Sequence, residues 1–413
     1  MVQWWDQGVD RKQSYAVVTL NIYNKQITIL LIVFSLVVVI MRKKMQVTSS
    51  KLMQVCNVYL NMSEYSKALE YYTKSLEMRL AVYGTESTHA DTATSYNNIG
   101  LAYKNMGEYS KALEYHTKSL EAYFVVYGTE ATHASIATSW NNIGVVYRNM
   151  GEYGKALECY TKSLKMKLDV YGTEATHTDI AASYNHIGLV CYDMVEYSKA
   201  LEYHTKSLDM YLAVYGTETT HASIALSYNN IGRAYKQMGG YSKALEYYTK
   251  SLEMMLVVYG TEATHADIAT SYNNLGLVYY NMGEYSKALE YHNKSLESFL
   301  ALYGTEATQA NIANNYNNIG LLYKKMGEYS KALEYHTKSL EMRLAVFGTE
   351  ATHASIANSY NNIGSVYYSK GEYSKALEYL LKGGSSLHTK SYMAGVCVLS
   401  VYWGAFLAGA SRP

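Results

Sequence analysis

The sequence predicts an all-α protein, a solenoid of about eight helix-turn-helix units with a 44-residue period. Three observations predict it. An Ile-Gly or Leu-Gly dipeptide ends at Gly100, Gly144, Gly188, Gly232, Gly276, Gly320 and Gly364, each 44 residues after the last. Within each unit, apolar residues fall at three- and four-residue steps, the spacing of one helix face. Pro413 is the single proline, so none interrupts a helix.

Self-similarity at a fixed period marks stacked-repeat architectures. One unit runs from His133 to Thr176. Its first helix carries Ile136, Trp140, Ile143, Val146, Tyr147 and Met150 on one face. Gly151-Glu152-Tyr153 is the predicted turn. The second helix carries Tyr153, Leu157, Tyr160, Leu164 and Leu168, and Gly172 is predicted to close it in the left-handed C′ conformation. In the preceding unit the second helix is expected from about Ser110 to Tyr127. Thr88 with Asp91, Thr176 with Asp179 and Thr264 with Asp267 read as acidic capping boxes, with threonine as N-cap. One helix pair cannot bury its apolar stripe alone, so stacking must build the core. The repeats are expected over residues 46–382, with the first and last units degenerate or truncated. Residues 1–45 and 383–413 read as non-repeat ends.

Trp140, Ile143, Gly144, Tyr147, Ala156 and Tyr160 reproduce the W-x2-L-G-x2-Y and A-x3-F spacing of the tetratricopeptide repeat. Elsewhere Tyr stands for the Trp, as at Tyr96, and His for the later aromatic, as at His116. The closing Pro is absent, and the unit is longer than the usual ~34 residues. This long form, with paired Asn before Ile-Gly, resembles the repeats of kinesin light chains. The resemblance runs from about Lys51 to Lys382. It implies a right-handed α-solenoid whose first helices line a concave groove. No heptad pattern for a motor heavy chain occurs in residues 1–50. Chaperone-binding relatives use Lys three before, and Asn just after, the Gly of their first repeat. Here those positions are Asn97 and Leu101, so neither a motor subunit nor a chaperone clamp is expected.

The resemblance places residues three and two before each Gly in the groove. They are Asn97-Asn98, Asn141-Asn142, Asn229-Asn230, Asn273-Asn274, Asn317-Asn318 and Asn361-Asn362, with Asn185-His186 in the remaining unit. Asn is a poor residue for a helix interior, so its recurrence needs an offsetting gain. Its amide donates and accepts, which suits a grip on an extended peptide backbone. The competing reading is that these amides bond neighbouring helices to each other. Four residues after each Gly the series reads Lys104, Arg148, Tyr192, Lys236, Tyr280, Lys324 and Tyr368, with Arg233 and Lys325 adding charge and Asp193 the lone acid. These residues predict a locally basic, Tyr-lined groove. The expected partner is an acidic peptide carrying an aromatic residue, as kinesin light chains bind by resemblance.

Other features are read more simply. Alternating Lys111, Glu114, Lys118 and Glu121 form a solvated, ion-paired helix face. His89, His133, His177, His221 and His265 recur once per unit. Stacked repeats lie about 8–10 Å apart, too far for neighbours to share a zinc ion at about 2.0–2.1 Å, so no metal site is expected. His116, His204, His292 and His336 are expected to pack as ring substitutes for Tyr. Cys56, Cys159, Cys191 and Cys397 lack metal or redox spacing and read as reduced cytosolic thiols. Net charge is +1, against a nucleic-acid partner. No phosphate loop, nucleophile elbow or His-Glu-x-x-His motif occurs, so neither an enzyme nor a cofactor is expected.

Ile27–Met41 is an apolar run followed by Arg42-Lys43-Lys44, and Tyr392–Ala410 is uncharged. Each is a candidate transmembrane helix, the first short of the roughly 17–25 residues required. The expected setting is the cytoplasm. The alternative is a mainly structural repeat spacer tethered to a membrane through these ends, with the repeats facing the cytosol.

Overall fold

The computed structural model describes residues 3–83, 89–260, 265–304, 310–348 and 354–385, with side chains from residue 27 to 384. Among the described residues there are sixteen helices and no strand. They fall into two bodies, residues 1–175 and 176–413. The first holds α1 (Gln3–Asn61), α2 (Tyr65–Tyr83), α3 (Ala90–Asn105), α4 (Tyr109–Tyr127), α5 (Ala134–Asn149) and α6 (Tyr153–Tyr171). The second holds α7 (Thr178–Asp193), α8 (Tyr197–Tyr215), α9 (Ala222–Gln237), α10 (Tyr241–Tyr259), α11 (Ala266–Asn281), α12 (Tyr285–Tyr303), α13 (Ala310–Lys325), α14 (Tyr329–Phe347), α15 (Ala354–Ser369) and α16 (Tyr373–Ser385). Within each body every helix packs on the next in sequence, and first helices of adjacent units, such as α3 and α5, also touch, so each unit contacts its neighbouring units as in an α-solenoid.

The repeat punctuation has a physical cause. The first helix closes in a Schellman motif: Gly151 N–H donates to Arg148 O at 3.0 Å and Glu152 N–H to Tyr147 O at 2.9 Å. Gly151 takes φ 78° there. The glycine closing the second helix differs from expectation. Gly172 sits at φ 97°, ψ 145°, an extended positive-φ region open essentially to glycine alone, not the left-handed helical basin.

The N-caps also differ. The cap of α7 is His177, not Thr176, and its side chain accepts from Asp179 N–H. His89, His133, His221 and His265 do the same through Nδ1, at 3.1–3.2 Å. Within each body their rings stack on the last tyrosine of the preceding helix, as His133 does on Tyr127 with centroids 3.7 Å apart. The stack holds the imidazole where its acceptor nitrogen meets the helix start, which explains why an uncommon capping residue recurs. Thr88 and Thr264 lie outside the described residues.

The two helices of a unit meet at the repeated glycine. A Cβ on Gly144 would lie 2.8 Å from the Tyr160 ring, and one on Gly320 2.8 Å from His336. His116, His204, His292 and His336 are buried at this position, as their role as ring substitutes requires. A buried serine adds a polar tie: Ser119 Oγ donates to Ala93 O at 2.8 Å, and Ser163, Ser251, Ser295 and Ser339 repeat the bond one or more units on. Cys56, Cys159 and Cys191 are free and buried. Burial pushes the Cys56 and Cys159 thiols up to about 11. Cys397 lies outside the described residues.

Helix α1 runs without a break through residue 45, where the repeats are expected to begin. Its Ile27–Met41 stretch is exposed, Phe34 and Leu30 each to 68%. No helix among the described residues is long and apolar enough to cross a membrane, so a span within α1 is not supported. Tyr392–Ala410 lies outside the described residues.

Candidate peptide-binding face

All the Asn residues of the predicted groove lie on first helices and are half-buried. Asn97, Asn98 and Lys104 are on α3, with Asn141, Asn142 and Arg148 on α5. In the second body they are Asn185 and Tyr192 on α7, and Asn229, Asn230, Arg233 and Lys236 on α9. Asn273, Asn274 and Tyr280 follow on α11, Asn317, Asn318 and Lys324 on α13, and Asn361 and Asn362 on α15.

The structure brings these asparagines together in a ladder. Asn142 Nδ2 donates to Asn97 Oδ1 at 2.7 Å in the first body. In the second, Asn230 donates to Asn185, Asn274 to Asn229, Asn318 to Asn273 and Asn362 to Asn317, at 2.7–3.1 Å. The second Asn of one unit thus bonds the first Asn of the unit before. The buried histidine supports some rungs: His116 Nδ1 lies 3.1 Å from Asn97 Oδ1, and His204 Nδ1 3.0 Å from Asn185 Oδ1. The helix-bonding role weighed for these residues is therefore present. It uses one acceptor and one donor of each linked pair, so the ladder leaves over an Nδ2 donor on Asn229 and an Oδ1 acceptor on Asn230.

The position one turn beyond the glycine is charged or aromatic. Arg233 stacks over Tyr192, its guanidinium carbon 3.8 Å from the ring centre, and reaches Asp193 at 4.0 Å. Gln237 Nε2 donates to Tyr192 Oη at 2.7 Å. Tyr280 tilts against Tyr285 at 5.9 Å. Lys324 Nζ donates to Ser365 Oγ at 3.0 Å. Burial holds Lys104, Lys236 and Lys324 below the usual lysine range, Lys236 further through Arg233 and Lys324 through Lys325.

The second-helix lysines are ion-paired on the surface instead. Lys118 pairs with Glu114 at 2.6 Å, and Lys162, Lys206, Lys250, Lys294 and Lys338 pair with the Glu four residues before them. Lys111 reaches back to Glu108 at 3.4 Å instead of forward to Glu114, since helical side chains point toward the N-terminus. Among the described residues no cluster of three or more His, Cys, Asp or Glu suits a metal ion.

Sequence reasoning missed two buried cations. Lys167 and Arg343 occupy the second-helix position held elsewhere by Tyr123, Tyr211, Met255 or Phe299, and each is 7% exposed. Arg343 donates to Ser355 O at 2.6 Å, Ser359 Oγ at 2.8 Å and Asn314 Oδ1 at 3.0 Å. Aligning the units shows the variation at this position but not its burial.

The tetratricopeptide repeat family model matches residues 47–123, 135–213, 179–256, 267–345 and 311–383, well over half of the chain. No curated protein matches. Among solved structures, the quorum sensor NprR from B. thuringiensis is 16% identical with a TM-score of 0.58, covering 83% of this chain and 88% of its own. A signal transduction ATPase with a tetratricopeptide repeat sensor, from Pyrococcus horikoshii, is 17% identical with a TM-score of 0.56, covering 85% of this chain and 49% of its own. The nearly identical TPR-like repeats of a candidate kinesin light chain from P. anserina are 16% identical with a TM-score of 0.44, covering 53% of this chain and 99% of theirs. On the family match, with the helix pairing described above, this chain belongs to the tetratricopeptide repeat family.

Proposed function

We propose that the protein is a non-catalytic interaction scaffold of the cytoplasm whose first-helix face binds extended acidic peptide segments. One observation carries this reading. Lys104 and Lys236 are half-buried, and among the described residues no carboxylate lies within ion-pair distance of either, while Lys118, Lys162, Lys206, Lys250, Lys294 and Lys338 are paired. A partly desolvated cation without a counter-ion is unfavourable, and a ligand carboxylate relieves it. The donor and acceptor that the Asn ladder leaves over supply sequence-independent contacts to the ligand backbone. Arg233 on Tyr192 and the ring of Tyr280 offer aromatic surfaces for a ligand side chain.

Fluorescence anisotropy with an acidic, Tyr-containing peptide and a charge-reversed control tests the reading. The acidic peptide should bind more tightly, with affinity falling as salt rises. Reversing charge at Lys236 and Lys324 should weaken binding and flatten that salt dependence. Equal binding of both peptides would sink the proposal. Affinity capture with residues 46–382, followed by mass spectrometry, identifies the natural ligand.

A further inference from the structure

Repeat symmetry exposes one missing ring. In a typical unit, a second-helix tyrosine packs between two first-helix rings. Tyr115 lies 6.2 Å from Tyr96 and 5.5 Å from Tyr103. Tyr247 lies 6.0 and 5.7 Å from Tyr228 and Tyr235. Tyr291, Tyr335 and Tyr379 repeat the arrangement within 5.3–6.3 Å. In the unit built on α5 and α6 the flanking residues are Trp140 and Tyr147, but the middle residue is Cys159. Every other unit has Tyr at this position.

A cavity of about 360 Å³ opens there. Cys159, Ile143 and Leu120 line its floor and are each no more than 5% exposed. Trp140 and Tyr147 form the aromatic walls. Cations stand over both walls: Lys162 Nζ is 4.6 Å from the Trp140 ring centre and Lys155 Nζ 5.4 Å from that of Tyr147. No residue lining the cavity belongs to the Asn face. All come from α4, α5 and α6 of the first body.

We propose that this cavity is a socket for one planar aromatic ring, supplied by an exposed Tyr or Phe side chain of a partner protein. The occupant is defined by the protein's own repeats, which fill the equivalent place with a tyrosine ring between the same two walls. A ring entering here gains the edge and face contacts that Tyr115 and Tyr247 make internally. It covers the half-buried faces of Trp140 and Tyr147. Tyr is favoured over Trp because the larger Trp140 already takes part of the space. The socket is separate from the peptide face, so its failure leaves that reading untouched.

The test titrates the full chain with p-cresol and with N-acetyl-L-tyrosine amide, followed by calorimetry and ligand-observed NMR. The wild type should bind both saturably in the millimolar range. Cys159→Tyr should reduce binding of both at least tenfold, while its helical circular dichroism and melting temperature stay equal or rise. Cys159→Ala should keep binding. Absence of saturable binding to the wild type would show that Trp140 fills the space and overturns the proposal. So would equal binding by a folded Cys159→Tyr protein. Binding of p-cresol without the tyrosine amide would overturn the assignment to a partner's side chain.

Discussion

Asn274 Nδ2 donates to Asn229 Oδ1 at 2.9 Å, tying one first helix to the next along the face proposed to hold a peptide. The proposed peptide grip gives these amides a second job beside this tie, and substitution should separate the two. Asn229→Asp keeps the oxygen that accepts from Asn274 but removes the Nδ2 donor that the ladder leaves over and adds a negative charge. Its stability should stay within about 0.5 kcal/mol. Affinity for an acidic peptide should fall by at least the 0.5–1.5 kcal/mol of one net hydrogen bond, roughly two- to twelve-fold.

Replacing Asn229, Asn230, Asn273 and Asn274 by Ala also breaks the bonds to Asn185 and Asn318. Three rungs are lost, at about 0.5–1.5 kcal/mol each, partly offset by the better helix propensity of Ala. The melting temperature should fall, and binding should fall much further. A destabilised quadruple mutant with full affinity would show that the ladder serves structure alone.

Gly232 allows α9 and α10 to touch, since a Cβ there would stand 3.0 Å from the Tyr248 ring. Gly232→Leu should cost more than the usual 1–3 kcal/mol of overpacking, because Tyr248 is fully buried and has no room to turn. Chemical denaturation of both proteins measures the difference.

Val195 holds φ 65° at the turn after α7, where Gly107, Gly151 and Gly239 stand in other units. A β-branched residue is strained in this region, by about 1–2 kcal/mol. Val195 is 66% exposed, so little packing is lost on removing it. Val195→Gly should raise the melting temperature despite the usual entropic penalty of adding glycine. A lower melting temperature would show that no strain is relieved.

Most helices were legible because the period is strict: Ile143-Gly144 and its repeats place α3, α5, α7, α9, α11, α13 and α15, and the observed α4 begins one residue from expectation. The caps were not, because Thr176 satisfies the usual capping rule while His177 caps in its place, and the ring stack that holds such a histidine, as for His133 on Tyr127, exists only in the folded chain. The Asn rungs join residues 45 apart, such as Asn97 and Asn142. Their spacing was visible, but not which amide would face its neighbour and which the ligand. The socket beside Cys159 was visible only as a Tyr-to-Cys replacement. Its meaning appears once Trp140 and Tyr147 are placed around it.

The buried histidines should make stability fall in mild acid. Burial lowers His116, His292 and His336 to about 4, with Lys104 adding to the effect on His116, and Lys324 and Arg343 to that on His336. The unfolded value is about 6.5. A depressed histidine means that the unfolded chain binds protons first. Stability is therefore full above about pH 6.5 and is lost progressively as pH falls toward 4. By pH 5 the linkage amounts to about 2 kcal/mol per histidine, before most carboxylates titrate. Units with Tyr160 or Tyr248 in place of the histidine escape this loss, so His336→Tyr should narrow the gap between melting temperatures at pH 7 and pH 5. Circular dichroism melts of both proteins at the two pH values check it. An unchanged gap would show that His336 is not protonated on unfolding, and that the acid sensitivity lies elsewhere.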